Sequence, residues 1–365
     1  MKLNLVPAVD AMHSLDQFDT IIDARSEDEF ALDHLPGAVN WPTLNNQERQ
    51  AIGTLYKQVN PFEARKRGGA IAARNIGEHI TRYVLDKPRD WRPLAYCWRG
   101  GQRSGSLSMV LDQIGFRVSV VEGGYKAFRA ALVADTARLA ACFRFQVVCG
   151  TTGSGKTRLL HALARNGAQV LDLEALASHR SSVLGAIPGQ SQPSQKGFDT
   201  RVWDVLRRLD PQRPVFVESE SRKVGNVAVP IALMDAMRQG VCLNLVLDDA
   251  ERVGLLMEDY DFFVQDQDAF CARLDILAEL RGKAVVQAWK SSVRSGGIET
   301  VVQQLLTHHY DPVYHHSMQR NFAHFGAARL LAPDDRSVTS MDALARALVE
   351  NEASAQTHIC AGCEP

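Results

Sequence analysis

A complete phosphate-binding motif leaves few folds open to this chain. It is the G-x-x-x-x-G-K-T sequence Gly150-Thr151-Thr152-Gly153-Ser154-Gly155-Lys156-Thr157. The apolar run from Phe143 to Cys149 predicts a strand before the motif, and the leucines that follow it, Leu159, Leu160 and Leu163, predict an apolar helix face. In this order the backbone N–H groups of the loop surround phosphate oxygens, Lys156 adds a positive charge, and Thr157 could hold Mg²⁺. We therefore expect the whole motif to bind a diphosphate or a nucleotide phosphate.

The rest of the C-terminal half alternates strand and helix patterns. Strands are predicted at Gln169–Leu173, Val215–Ser219, Leu243–Leu247 and Ala327–Leu331. This alternation predicts a mainly parallel sheet with ligands at its carboxyl edge. Asp172, Glu218 and Asp248 each end a predicted strand there, and any one of them could aid a metal or act as a base. A polar stretch over residues 178–196 is too long for a simple connection and predicts a binding loop or lid.

A second anion-binding loop is predicted around Cys97. Leu94–Tyr96 has the pattern of a short strand, and the apolar positions Leu107, Val110, Leu111 and Ile114 predict a helix after the loop. Cys97 would thus lie at a strand-to-helix turn, followed by Trp98, Arg99, Gly100, Gly101, Gln102 and Arg103. Backbone N–H groups and two arginines at such a turn favour a thiolate and attract an anion. We expect Cys97 to be an exposed catalytic nucleophile and the loop to hold an anionic substrate.

The near-neutral charge of the chain restricts how it could bind nucleic acid. Its 41 basic and 42 acidic residues give a formal net charge of −1, so contacts with phosphate backbones must come from local basic patches. The candidate contacts are Arg65, Lys66 and Arg67 in one cluster and Arg222 and Lys223 in another. A solvated helix end is the alternative interpretation of the first cluster.

Cysteine and histidine usage indicates a cytoplasmic protein without a metal centre. The 7 cysteines are odd in number and scattered, which favours a reducing compartment over a disulfide framework. We see no signal peptide and no apolar run long enough to span a membrane. His308, His309, His315 and His316 are more typical of a helix end, and His358 with Cys360 and Cys363 offers only a lone C-x-x-C, so we predict no metal at either place.

Four motifs in the first 130 or so residues give the N-terminal part a resemblance to a rhodanese domain. They are Asp23-Ala24-Arg25, His34 to Asn40, the Cys97 loop, and Val118 to Arg129. The C-x5-R loop from Cys97 to Arg103 is one residue longer than is usual in rhodaneses that carry sulfane sulfur. It is similar to the phosphate-binding loops of rhodanese-fold phosphatases. The loop alone therefore leaves open a phosphatase or sulfurtransferase fused to a P-loop kinase-like domain, or a nucleotide-switched adaptor.

Nearly the whole chain resembles the tRNA 2-selenouridine synthase family. The resemblance adds Tyr56-Lys57-Gln58, Ser191-Gln192-Pro193-Ser194-Gln195 and Glu218-Ser219-Glu220-Ser221-Arg222 to the two loops. It implies conversion of wobble 2-thiouridine in tRNA to 2-selenouridine, first by S-geranylation from geranyl diphosphate and then by selenation from selenophosphate. On this basis Cys97 could carry selenium as Cys–S–Se⁻, the P-loop would grip the diphosphate, and the enzyme that makes selenophosphate is a candidate partner.

The expected architecture is an α/β protein of two domains. We predict a rhodanese-like domain over residues 1–132 with an insertion around 43–92. A P-loop α/β domain with a mainly parallel sheet follows over residues 133–352. Residues 353–365 are expected to form a mobile tail. Selenophosphate and geranyl diphosphate are expected as co-substrates, with no tightly bound cofactor.

Overall fold

The computed structural model describes residues 3–180 and 185–361, with side chains described up to residue 352. The chain divides into two compact units. The first comprises Met1–Arg138 and Pro193–Asp204, and the second comprises Leu139–Gln192 and Val205–Pro365. The predicted 353–365 tail lies outside the residues whose side chains are described.

The first unit is built on a five-stranded sheet with the order β1-β5-β4-β2-β3. Its strands are β1 (Asn4–Val6), β2 (Thr20–Asp23), β3 (Ala38–Asn40), β4 (Pro93–Tyr96) and β5 (Ser119–Val121). Every pairing in it is parallel. The accompanying helices are α1 (Ala8–His13), α2 (Glu27–Leu32), α3 (Asn46–Gln58), α4 (Pro61–Tyr83), α5 (Gln102–Ile114) and α6 (Gly124–Cys142). Parallel sheets are normally covered on both faces by other elements. The central strand β4 is accordingly buried along its whole length.

The predicted insertion folds as the two helices α3 and α4. Each begins at an asparagine cap: Asn45 accepts the Glu48 N–H, and Asn60 accepts the N–H groups of Phe62 and Glu63. Side-chain caps satisfy N–H groups that have no partner in a helix's first turn, so both starts are encoded locally.

The second unit also contains a five-stranded sheet with parallel pairings throughout, in the order β12-β11-β6-β8-β7. Its strands are β6 (Phe145–Cys149), β7 (Gln169–Leu171), β8 (Val215–Glu218), β11 (Val241–Leu245) and β12 (Arg329–Leu331), and a small hairpin adds β9 (Lys223–Val224) and β10 (Val227–Ala228). One further helix, α9 (Gln195–Leu206), lies mostly in the first unit. The helices of the second unit are α7 (Lys156–Arg165), α8 (Leu173–Ala177), α10 (Ile231–Arg238), α11 (Asp249–Asp259), α12 (Asp261–Gln265), α13 (Gln267–Leu274), α14 (Ala278–Arg281), α15 (Lys283–Arg294), α16 (Ile298–Leu305), α17 (Asp311–Asn321) and α18 (Val338–Ala361). The α/β class and the mainly parallel sheet predicted from sequence are confirmed.

The described residues of the second unit include two separate cores. The leucine face of α7 packs with Val148, Phe216 and Leu245 of the sheet. A second core of aromatic and aliphatic side chains, including Phe263 and Trp289, lies among the helices between β11 and β12. Among the described residues, no helix has both the length and the apolar composition needed to cross a membrane.

The segment Pro193–Asp204 belongs to the first unit, although it is separated from the rest of that unit in sequence. Its Trp203 is fully buried, donates its indole N–H to Asp135 (2.9 Å), and lies edge-on to Phe128 with ring centroids 5.6 Å apart. Arg129 forms an ion pair with Asp199 of the same segment. No local pattern in the sequence predicts that Pro193–Asp204 packs with the first unit, because the contacts join residues about 70 positions apart.

We expect Trp203→Ala to lower the free energy of unfolding of the first unit by about 3–5 kcal/mol, because it opens a large cavity in a fully buried site. Chemical denaturation followed by circular dichroism measures the change. The matched control is Tyr56→Ala on α3, whose side chain is 54% exposed and whose loss should cost within about 0.5 kcal/mol. Equal effects of the two substitutions would contradict the role of Pro193–Asp204.

Candidate active sites

The Cys97 sulfur lies at the turn between β4 and α5, as predicted. Two donors point at it: the Gly101 N–H (3.3 Å) and the Ser104 hydroxyl (3.2 Å). Gly101 is also the N-cap of α5, so the positive end of this helix faces the sulfur. This surrounding of donors suits a thiolate nucleophile.

The expectation that Cys97 is exposed is wrong. Its side chain is only 3% exposed and packs with Ala95 and Leu107 in the core of the first unit. The physical reason is that Cys97 directly follows the buried strand β4, so its sulfur lies beneath the loop. A reacting group must therefore enter the loop itself to reach it.

Glycines allow the Cys97 loop to pack closely against the start of α6. Gly124 has φ +59°, and a Cβ there would overlap the Cys97 carbonyl oxygen and the Gly100 N–H. The Tyr125 N–H donates to that same carbonyl oxygen (2.8 Å). The loop conformation therefore depends on a residue without a side chain at position 124.

The cations around this loop include Lys196, which was not predicted, beside the two predicted arginines. Arg103 forms an ion pair with Glu29 (2.6 Å), whereas Arg99 and Gln102 are exposed. Although burial alone would raise it, the hydrogen bond and charge of Arg103 lower the pKa of Glu29. Lys196 supplies a further positive charge, with its ammonium 5.7 Å from the centre of the Trp98 ring. No local sequence signal identifies Lys196, because it comes near the loop only when the distant segment Pro193–Asp204 packs with the first unit.

The phosphate-binding loop in the second unit connects β6 to α7, as predicted. Gly150 has φ +155°, and a Cβ there would lie 2.7 Å from the Leu245 carbonyl oxygen, so the loop requires glycine. The Lys156 ammonium donates to the Gly150 carbonyl oxygen (2.7 Å). It therefore lies over the loop, where it can neutralise a bound phosphate.

Tyr314 of α17 contacts the phosphate-binding loop and was not predicted from the sequence. Its hydroxyl oxygen accepts the Gly150 N–H and lies 3.2 Å from the Ser219 hydroxyl. The Lys156 ammonium is 5.6 Å from its ring centre. Burial raises the pKa of Tyr314, so this hydroxyl stays neutral and remains a hydrogen-bonding group at ordinary pH.

Three carboxylates gather beside the loop. Oxygens of Glu174, Glu218 and Glu220 lie within 4.8 Å of one another. Glu218 is 1% exposed, and its Oε1 has no hydrogen-bond partner. Burial, together with the charges of Glu174, Glu220 and Asp172, raises the pKa of Glu218 well above its usual range, although Lys156 opposes this. A proton or a cation is therefore needed here.

The other two predicted strand-end carboxylates lie outside this cluster. Asp172 caps α8 by accepting the Ala175 N–H (2.8 Å) and lies 3.1 Å from His161. Asp248 is the exposed N-cap residue of α11. Glu218 was thus the one of the three predicted candidates that the fold brings into the acidic cluster.

The loop and the acidic cluster share one cavity of about 1030 Å³. Its lining includes Lys156, Arg158 and Glu218, and also Arg180 and Gln190 from the polar stretch. That stretch therefore contributes to the wall of the cavity, while residues 181–184 lie outside the described residues. The mixed charges of the wall suit an anionic ligand accompanied by a cation.

Two family models match the chain: a rhodanese-like domain over residues 8–131 and the tRNA 2-selenouridine synthase AAA domain over residues 143–279. The tRNA 2-selenouridine synthase of Nitrosomonas europaea is 37% identical over 257 residues, which are 69% of this chain and 66%, just under two thirds, of that protein. The protein of the same name from Sulfurovum sp. is 30% identical over 82% of this chain and 89% of its own length. The one from Pseudomonas putida is 32% identical over 80% and 86%. The chain belongs to the tRNA 2-selenouridine synthase family. The resemblance drawn from its motifs is confirmed.

In this family member the predicted basic clusters are all solvent-exposed. Arg65, Lys66 and Arg67 lie near the start of α4, where Lys66 pairs with Glu63 (2.5 Å). Arg222 and Lys223 lie at the β9 hairpin, directly after Ser221 in the cavity wall. Their exposure is compatible both with RNA contact and with the alternative of solvated ends.

The histidines of the 308–316 segment are distributed over a π-helical turn (Leu306–Tyr310) and α17. The Nδ1 atom of His309 accepts the Arg281 Nε–H (3.0 Å). Burial, with the charge of Arg281, lowers the pKa of His309, so this buried ring is neutral. Cys360 and Cys363 lie outside the residues whose side chains are described.

We expect Ser104→Ala to slow alkylation of Cys97 by iodoacetamide about tenfold at neutral pH, because the attacking sulfur loses one of its two hydrogen-bond donors. Mass spectrometry of the Cys97 peptide measures the rate without interference from other cysteines. Ser106→Ala is the matched control, since its hydroxyl lies on the same helix and donates to the Gln102 carbonyl oxygen instead. Unchanged reactivity in Ser104→Ala would show that this hydroxyl does not activate the sulfur.

Proposed function

We propose that this chain converts wobble 2-thiouridine of tRNA to 2-selenouridine in two steps, with one anion-binding loop serving each step. The phosphate-binding loop would catalyse S-geranylation from geranyl diphosphate, and the Cys97 loop would catalyse selenation from selenophosphate. The observation that carries the proposal is the presence of a cysteine surrounded by hydrogen-bond donors and a complete phosphate-binding motif in one member of this family. Neither loop alone accounts for both steps.

In the first step the thiouridine sulfur attacks the first carbon of the geranyl chain. A sulfur–carbon bond forms while the carbon–oxygen bond to the diphosphate breaks, the diphosphate leaves with the electron pair, and the N3 proton passes to solvent. Lys156 and the loop N–H groups stabilise the charge that develops on the leaving diphosphate. S-alkylation also turns the sulfur into a better leaving group for the second step.

The acidic cluster fits a magnesium ion. Glu174, Glu218 and Glu220 offer hard oxygen ligands, the Thr157 hydroxyl lies 3.4 Å from a Glu174 oxygen, and Glu218 Oε1 has no other partner. These residues would hold the ion beside the phosphate-binding loop. When bound, Mg²⁺ supplies positive charge that offsets the charge of the diphosphate.

In the second step the Cys97 thiolate acts as a nucleophile toward selenophosphate. A Cys–S–Se⁻ carrier formed directly from selenophosphate would need an oxidant, because selenide must lose two electrons to bond to sulfur. Attack on phosphorus is redox-neutral: a sulfur–phosphorus bond forms, the selenium–phosphorus bond breaks, and selenide leaves with the electron pair. Selenide then adds at C2 of the nucleoside, geranyl thiol leaves, and water hydrolyses the phosphocysteine.

The exposed cations are the proposed tRNA contacts. Arg65, Lys66 and Arg67 on α4 and Arg222 and Lys223 at the β9 hairpin can each approach a phosphate group without desolvation of a buried charge. The enzyme that produces selenophosphate is the proposed protein partner, because selenophosphate would be consumed at the Cys97 loop. A cytoplasmic location follows from the same proposal.

Single substitutions in the two loops should affect geranylation and selenation differently. We expect Cys97→Ala to alkylate thiouridine and accumulate S-geranyl tRNA, because Lys156 is intact. Lys156→Ala should make little of either product, since charge on the leaving diphosphate is no longer offset. Chromatography of the nucleosides from both variants measures both products.

Supplying S-geranylated tRNA with selenophosphate sharpens this test. Lys156→Ala should then regain selenation, whereas Cys97→Ala should not. Loss of geranylation in a folded, tRNA-binding Cys97→Ala protein would refute the division of labour between the loops. Selenation by Cys97→Ala would refute the role of the cysteine.

Metal binding should depend on pH through Glu218. Because the pKa of Glu218 is raised, the folded chain keeps this proton to higher pH than the unfolded chain does. In the metal-free protein the free energy of unfolding therefore falls as pH rises from the usual carboxyl range through the pKa of Glu218. A divalent cation competes with the same proton, so its affinity should rise with pH by up to about tenfold per unit.

Mn²⁺ titration followed by electron paramagnetic resonance measures this affinity independently of activity. Glu218→Gln should weaken binding and remove most of the pH dependence. Asp248→Asn, at an exposed strand-end carboxylate outside the cluster, is the matched control. A Glu218→Gln protein that binds Mn²⁺ with unchanged affinity and pH dependence would exclude the proposed metal site.

A further inference from the structure

The helices between β11 and β12 contain an apolar slot that none of the motifs predicts. Its walls are aliphatic and aromatic side chains, among them Met257, Phe263, Ile298, Val302 and Leu305. The slot has a volume of about 60 Å³, and its mouth is open to solvent. The space is therefore narrow, and it suits a slender chain better than a ring system.

The slot opens at the phosphate-binding loop. Thr152 of the loop lines both the slot and the large cavity around Lys156, and so do Leu256, Tyr260 and Tyr310. The π-helical turn (Leu306–Tyr310) places both of its end residues in the wall of the slot. One ligand could therefore have an anionic end on the loop and another end in the slot.

The chemistry of the walls limits what that other end can be. Among the described lining residues, Thr152 and the tyrosines alone carry polar side-chain atoms. A nucleotide base would bury several donors and acceptors against hydrocarbon, which is unfavourable unless each finds a partner. A hydrocarbon chain has no such requirement, and its burial is favourable in proportion to the apolar area removed from water.

We propose that this slot binds the hydrocarbon chain of the isoprenoid diphosphate whose diphosphate lies on the phosphate-binding loop. The inference rests on the proposed geranylation and assigns the residues that select the substrate. The depth of the slot then determines which length of hydrocarbon chain binds, and the loop recognises the diphosphate. Inorganic pyrophosphate, which lacks the chain, should bind more weakly than geranyl diphosphate.

Calorimetric titration with geranyl diphosphate and with inorganic pyrophosphate, both in Mg²⁺, tests the assignment. Val302→Phe fills the slot from α16 and should weaken geranyl diphosphate binding at least tenfold while leaving pyrophosphate binding unchanged. Gln303→Phe, the next residue and solvent-exposed, is the matched control and should change neither affinity. Unchanged pyrophosphate binding also shows that the variant is folded.

Val264→Trp provides a second obstruction at a slot residue that is 36% exposed and so tolerates a larger side chain. If Val302→Phe does not fold, this variant decides the test. Equal binding of geranyl diphosphate and pyrophosphate by the unsubstituted chain, or full geranyl diphosphate affinity in the folded variants, would overturn the slot assignment and leave the loop assignment intact. Failure of pyrophosphate to bind the unsubstituted chain would instead overturn the proposed role of the loop, and with it this inference.

Discussion

The buried carboxylate of Glu218 is the group on which the phosphate-loop site depends. Parallel pairing puts Glu218 opposite Val148, just before the loop that begins at Gly150. A carboxylate that is 1% exposed and lacks a partner on one oxygen is unfavourable unless it is protonated or bound to a cation. The sheet therefore fixes the position of a carboxylate whose negative charge must be neutralised by a proton or a bound cation.

The Cys97 loop and the phosphate-binding loop each connect a strand to a helix, but the charged side chains around them differ. Each follows a buried strand and precedes a helix, so each directs N–H groups toward an anion. At the Cys97 loop Arg99 and Lys196 are nearby cations, and the Glu29 carboxylate is already paired with Arg103. At the phosphate loop Lys156 faces three carboxylates. The first loop thus suits an anion alone, and the second suits an anion together with a metal ion.

Local patterns predicted the features whose determinants are contiguous in sequence. The phosphate motif, the Cys97 loop and the parallel strands each depend on fewer than about 20 neighbouring residues, so periodicity and glycine spacing identify them. Lys196 and Tyr314 could not be found this way, because each reaches its loop after the chain has travelled through other elements. The exposure of Cys97 was misjudged for the same reason: burial of a side chain is decided by the elements that cover it.

A single guanidinium links the phosphate-binding loop to the helices that form the slot. Arg252 of α11 is 6% exposed and donates from Nε (3.1 Å) and Nη2 (2.9 Å) to the Thr152 carbonyl oxygen. It also pairs with Asp311 (2.6 Å), which follows the π-helical turn directly. Because the same side chain fixes the loop and the end of that turn, the two parts of the site cannot shift independently. The distance between a diphosphate on the loop and a chain in the slot is therefore set by the fold, which favours ligands in which the two are directly bonded.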